Sequence, residues 1–113
     1  MKYFKPEEFS CPCCGLNFTS DKLMETVDHI RGQIGAPLFI NSAWRCKKHN
    51  AELRDSSPNS LHLQGLAVDI STANLTGLAK LDLLKAGMLL FNGIGIARTF
   101  IHFDLGMRKM WVY

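Results

Sequence analysis

An α+β fold built on a small, mostly antiparallel sheet is what the sequence predicts, and three observations predict it. Two stretches carry helical periodicity: Leu23, Val27, Ile30 and Ile34 share one face, and Leu75 to Met88 forms a second long run. Other short stretches alternate in character with a period of two, around Val68, Ile94 and Phe103. The two kinds of segment are mixed, without the regular strand–helix repeat of a parallel α/β fold. At 113 residues the chain forms one domain, 1–113, around one hydrophobic core.

Each element has its own signal. Ser20-Asp21 opens the first helix with Ser20 as N-cap, and Gly35-Ala36-Pro37 ends it. Leu38 to Asn41 is a short apolar run that reads as a strand, and Cys46 to Leu53 reads as a short helix. Asp55 to Asn59 is turn chemistry. Gly65 allows a sharp bend before Leu66 to Ser71, whose alternation sends Leu66, Val68 and Ile70 one way and Ala67, Asp69 and Ser71 the other. Leu75 to Met88 is a helix capped from Asn74 or Thr76, and the leucines from Leu78 to Leu90 are expected to face the core. Ile94 and Ile96 alternate with Gly93, Gly95 and Ala97, which makes a strand with one nearly bare face. Phe100 to Leu105 sends Ile101 and Phe103 to one side and His102 and Asp104 to the other, and Trp111 to Tyr113 is a last edge strand.

Composition narrows the function. The net charge of +3 suits an anionic partner such as the bacterial wall, although small basic domains are common. No basic run or aromatic–basic alternation points to nucleic acid. The N-terminus holds no apolar run that could act as a signal sequence, and no stretch has the length of a membrane span. A protein made in the cytoplasm, without membrane insertion, is the expectation; action on the wall would need a separate means of delivery.

The segment richest in chemistry is Ser60-Leu-His62-Leu-Gln-Gly65-Leu-Ala67-Val-Asp69. His62 falls in a loop, Asp69 on the polar face of a strand, and His102 with Asp104 on the polar face of another. If those strands are neighbours, His62, Asp69 and His102 converge. Two imidazoles and one carboxylate make a common catalytic zinc set, with the fourth position left to water. By spacing alone, a surface or hydrogen-bonded pair is the better reading of His62 and Asp69.

The pattern Ser-x-His-x-x-Gly-x-Ala-x-Asp followed by a late His-x-Asp resembles the zinc D-Ala-D-Ala carboxypeptidase family, which includes phage endolysin peptidases and shares its fold with the hedgehog signalling domain. Phe9-Ser-Cys-Pro-Cys-Cys-Gly resembles the opening segment of phage-type members. Leu38 to Arg45, ending Ser-Ala-Trp-Arg, resembles their strand ending Ser-Gly-Tyr-Arg. His49-Asn50 follows as it does there, and Gly93-Ile-Gly-Ile with Phe100-Ile-His-Phe-Asp resembles the closing hairpin. The resemblance implies a hedgehog/DD-peptidase-like fold and Zn2+ held by His62, Asp69 and His102. It implies a monomer that cuts amide bonds of peptidoglycan stem peptides, as a carboxypeptidase or an endopeptidase, released to the wall in the manner of a phage lytic enzyme. It places Arg45 at the active site, where its guanidinium would hold an oxyanion or a substrate carboxylate. Ser60 would orient a ligand or contact substrate, or serve only as a turn residue. The bare face of Gly93, Gly95 and Ala97 fits a groove for an extended peptide.

One departure matters. Several members of the family carry a carboxylate general base three residues before the last His, and this chain has Thr99 there. Asp104 is then the base or a partner that fixes an imidazole, and a substrate carboxylate or metal hydroxide with no protein base is the third alternative. A non-catalytic zinc-stabilised binding module, or a phage structural protein with the same domain, is the alternative. The cysteines form a separate question. Cys11, Cys14, Cys46 and His49 have the spacing of a structural Cys₃His zinc site; a late disulfide between Cys14 and Cys46, or simply buried thiols, would also account for them. Trp44 and Trp111 are expected as buried anchors, with a place in a substrate groove as the alternative.

Overall fold

The computed structural model describes residues 1–53 and 57–113. The first long helix, α1 (Asp21–Ile34), begins where Ser20 Oγ accepts the Leu23 N–H and ends at Gly35, whose φ of 69° is the left-handed cap. Leu23, Met24, Val27 and Ile30 bury its inner face. The first strand, β1 (Ile40–Ser42), lies a little later than the apolar run Leu38 to Asn41 suggests. Leu38 is a core side chain just ahead of it. The short helix α2 (Lys47–Glu52) is capped by Cys46. Of the turn expected over Asp55 to Asn59, the first two residues lie outside the described residues; Pro58 and Asn59 form a turn.

Strands β2 (Ala67–Ser71), β3 (Gly93–Ile96), β4 (Phe100–Asp104) and β5 (Lys109–Val112) complete a sheet of order β1-β2-β4-β3-β5. Every pairing is antiparallel except that of β3 with β5, so the sheet is mostly antiparallel as expected. Helix α3 (Gly77–Leu90) starts at Thr76, whose side chain accepts the Ala79 N–H. The helices and the inward residues Val68, Ile70, Ile94, Ile101 and Phe103 enclose one core.

Two expectations are corrected here. Helix α3 does not turn all its leucines inward: Leu83 and Gly87 are buried, while Leu78, Leu81 and Leu89 are exposed. Successive helical residues are about 100° apart, so leucines at so many positions spread wider than one contact stripe. Gly87 is part of that stripe because the Phe103 ring lies against it; a Cβ there would fall 2.0 Å from Phe103 Cε1.

The bare face of β3 is not a groove either. A Cβ on Gly93 would meet the Asp104 carboxylate at 2.2 Å, and one on Gly95 would meet the Trp111 indole at 2.6 Å. Neighbouring strands fill the space that the missing side chains leave.

Candidate metal centre and active site

Pairing of β2 with β4 sets Asp69 directly opposite His102. Since side chains alternate along a strand, both project from the face opposite Val68, Ile70, Ile101 and Phe103. Asp69 Oδ1 lies 2.9 Å from His102 Nδ1. The third member, His62, comes from a 3-10 turn, Leu61–Gln64, placed just before β2. Ser60 Oγ accepts the His62 N–H at 3.2 Å and starts that turn. Gly65 ends it with a φ of 72°, and a Cβ there would lie 2.1 Å from the Phe18 carbonyl oxygen, so the bend requires glycine. Ligand-capable atoms of His62, Asp69 and His102 all lie within 4.8 Å of one another.

Hydrogen bonds decide which nitrogens are available. His62 Nδ1 is 2.7 Å from the Ala43 carbonyl oxygen, which only accepts, so Nδ1 carries the proton. Nε2 then presents its lone pair, 3.4 Å from Asp69 Oδ2. His102 Nε2 is 2.7 Å from Asp104 Oδ2 and donates to it, which leaves Nδ1 facing Asp69 Oδ1. In neutral His102 that places a nitrogen lone pair against a carboxylate oxygen. A positive charge between them resolves the clash, either a proton on His102 or a metal ion. The donor set therefore fits zinc: two imidazole nitrogens and one carboxylate, each imidazole fixed through its other nitrogen.

The same contacts set the charges. Burial disfavours ionised Asp69, but the hydrogen bond and charge of His102 and the neighbouring His62 ring outweigh it, holding the carboxyl well below the usual range. Asp104 is likewise held low, since the His102 hydrogen bond and the Gly106 N–H overcome its burial. For His102 burial favours the neutral ring, yet its bonds to Asp104 and Asp69 raise its pKa above the usual value.

Arg45 reaches the cluster from the segment after β1. Its backbone N–H donates to the His62 carbonyl at 3.2 Å. Its Nε donates to Ser42 Oγ at 2.9 Å, one terminal nitrogen donates to Asn50 Oδ1 at 3.0 Å, and the other sits 3.6 Å from Asp69 Oδ2. These contacts hold the guanidinium plane, and the remaining N–H donors of its fork suit an oxyanion or a carboxylate. Asp104 is committed on both oxygens, to His102 at 2.7 Å and to the Gly106 N–H at 2.9 Å. Thr99 lies in the bend between β3 and β4, exposed, with its carbonyl accepting the Thr72 N–H.

Arg45, Ser60, His62, Asp69, His102 and Asp104 all line one cleft of about 320 Å³. Apart from Trp111, for which a groove position was the alternative reading, the cleft has walls that the sequence reading did not assign. Lys109, Trp111 and Tyr113 line it, as do Ser57 and Asn59. The Trp111 ring packs against His102 with centroids 5.1 Å apart, and the Lys109 ammonium sits 5.0 Å from the Trp111 ring centroid. Trp111 is thus a cleft residue, not a buried anchor. Period-two alternation over 109, 111 and 113 was the available signal. Trp44 instead donates from Nε1 to the Leu63 carbonyl and packs edge-on against Phe18.

The cysteines gather elsewhere. Sulfurs of Cys11, Cys14 and Cys46 come within 4.8 Å of one another, and all four cysteines are free thiols. Only Cys11 is buried, so burial does not account for the set, and no Cys14–Cys46 disulfide is present. The His49 ring is not part of the cluster: His49 is three residues beyond the helix cap Cys46 and meets its sulfur with its backbone N–H, at 3.4 Å.

No curated protein matches the chain. The family model for Peptidase M15 matches residues 2–104, from the N-terminal segment to the end of β4. That span carries the whole His62–Asp69–His102 cluster, and the chain belongs to the peptidase M15 family of zinc metallopeptidases.

Proposed function

We propose that this protein hydrolyses amide bonds in the stem peptides of peptidoglycan, as a carboxypeptidase or an endopeptidase. The observation that carries the reading is the convergence of His62, Asp69 and His102 beside Arg45 in one cleft. Zinc in such a site supplies Lewis acidity and makes water a nucleophile near neutral pH. The chain's own residues do the rest. Asp104 fixes the ring and proton of His102, Ala43 does the same for His62, and Ser60 holds the backbone of His62. Arg45 presents its remaining donors to the carbonyl oxygen as negative charge develops there, or to a substrate carboxylate. Lys109 adds a second cation to the cleft, and Trp111 gives it an apolar wall. The peptidoglycan assignment draws on the motif resemblance over most of the chain and on the two cations that suit carboxylate-bearing stem peptides. A monomer that reaches the wall through phage-type release belongs to the same proposal.

Purified peptidoglycan incubated with the zinc-loaded protein should release new amino groups or free D-alanine, and the His62→Ala variant should release none. An intact wall under every divalent metal tried overturns the reading.

A second reading has one observation in its favour. Among the described residues, the only carboxylates lining the cleft are Asp69 and Asp104, and both are engaged. A zinc-stabilised binding module, without a protein base, would show retention on peptidoglycan and no cleavage in the same assay.

A further inference from the structure

We propose that Cys11, Cys14 and Cys46, with Cys13 as fourth ligand, form a structural zinc site separate from the catalytic cleft.

In Cys11-Pro12-Cys13-Cys14-Gly15 the Gly15 N–H donates to the Cys11 carbonyl at 2.8 Å, and Gly15 has a φ of 76°, which suits glycine. The Cys11 N–H bonds back to the Leu16 carbonyl at 2.8 Å, which closes the loop. This turn brings the Cys11 and Cys14 sulfurs together, and Cys46 meets them from the start of α2. The Cys11 and Cys46 sulfurs are 3.7 Å apart. A zinc tetrahedron with Zn–S bonds of about 2.3 Å has S···S edges of about 3.8 Å. The Cys11–Cys46 edge matches that length, and the other sulfur pairs lie within 4.8 Å.

Backbone amides also face the sulfurs. The His49 N–H donates to Cys46 Sγ at 3.4 Å, and the N–H groups of Cys13, Cys14 and Cys46 lie near the Cys11 sulfur. Amide dipoles aimed at sulfur stabilise thiolate charge and fix the direction of the remaining lone pairs, an outer shell suited to metal ligands. Cys13, exposed in the same turn between Cys11 and Cys14, is outside the group of three sulfurs but is the remaining thiol of the segment, near enough to Cys46 to feel its charge. An all-cysteine set is a closed, soft-donor site with no open position, the structural class of zinc centre.

Its role is mechanical. The N-terminal segment otherwise joins this side of the fold through such contacts as the Trp44 N–H to the Phe9 carbonyl at 3.2 Å. Cys46 directly follows Arg45, so a metal held by Cys46 would tie the N-terminal turn to the backbone that carries the guanidinium of the cleft.

The test is zinc counting on the intact chain, purified with reductant and without chelator. Two zinc ions per chain are expected in the wild type and one in His62→Ala. A mercurial titrated against the thiols of His62→Ala should release that last zinc, read with a chromophoric chelator. Because this variant keeps all four cysteines, the readout does not depend on a cysteine variant folding. Cobalt in place of zinc should give sulfur-to-cobalt charge-transfer absorption in His62→Ala and lose it in Cys14→Ser. A wild type with one zinc that His62→Ala abolishes, or thiol modification that frees no zinc, overturns the proposal. Loss of this zinc in His49→Ala, with retention in Cys13→Ser, overturns the fourth ligand.

Discussion

The His62–Asp69–His102 cluster and the Cys11–Cys14–Cys46 cluster are joined through the Arg45–Cys46 peptide bond, and they are built in opposite ways. The first depends on strand register: Asp69 and His102 meet only because β2 and β4 pair in one alignment, and His62 is added by a capped turn before β2. The second depends chiefly on one tight turn around Gly15, with Cys46 as its single distant member. Their donors differ too. Nitrogen and oxygen donors open onto a cleft in the first, whereas the second gathers thiols at a turn, with the His49 N–H donating to Cys46. A reactive centre and a tie within the fold can thus share one ion type and still be told apart by what surrounds the donors.

The largest expected effect separates the two directly. His62→Ala or Asp69→Asn should lower hydrolysis by on the order of 10³-fold or more, measured as product release from peptidoglycan, because the Lewis acid is lost. Cys14→Ser should act mainly on stability, lowering Tm by on the order of 10 °C and lowering kcat far less. If both variants abolish turnover while the fold survives, the division of labour is wrong.

Asp104→Asn comes next and sharpens the first half. As the partner that fixes His102, Asp104 should cost about 10–100-fold in zinc affinity when changed, read by competition with a chelator. Unchanged zinc affinity with turnover abolished would make Asp104 the base instead. Gly95→Ala follows, since its Cβ would lie 2.6 Å from the Trp111 indole. The clash should cost about 1–3 kcal/mol in denaturant unfolding and shift the tryptophan emission.

The smallest effect concerns the other anchor of the N-terminal segment. Asp28 accepts the backbone N–H groups of Lys2, Tyr3 and Phe4 at 2.7 to 3.0 Å. Burial pushes its pKa up, but these three bonds outweigh it, so the folded value lies below the usual 3.8. A depressed carboxylate stabilises fully above its unfolded pKa and loses that contribution as pH falls through the folded value. Because solvent screens this largely exposed carboxylate, Asp28→Asn should cost on the order of a few tenths of a kcal/mol at neutral pH and progressively less below about pH 4, measured by urea unfolding at each pH. A gap that persists at low pH would assign the effect to shape, not charge.

Much of this was legible in the sequence, and the reasons are physical. Alternation over Phe100 to Leu105 separates His102 and Asp104 from Ile101 and Phe103, and the structure keeps that division. Ser20 and Gly35 mark the ends of α1 because caps are local chemistry. What the residues alone did not show is what fills an absence. A strand without side chains at Gly93 and Gly95 reads as open space, but the sheet order puts β4 and β5 on either side of it. Which strand becomes a neighbour is a long-range fact that local pattern does not carry. The same holds for His49, whose spacing from Cys46 suits a ligand while the capped helix directs its N–H to the sulfur.

The pairing of Asp69 with His102 has a consequence for how the chain reaches its fold. Slipping either strand by one residue would send one of the two to the core face and bring a valine, isoleucine or phenylalanine into its place. The pair is therefore a register mark: a cation present during refolding adds its binding energy to one alignment of β2 on β4 and to no other. Proofreading of the sheet and assembly of the reactive centre are, in this chain, the same event.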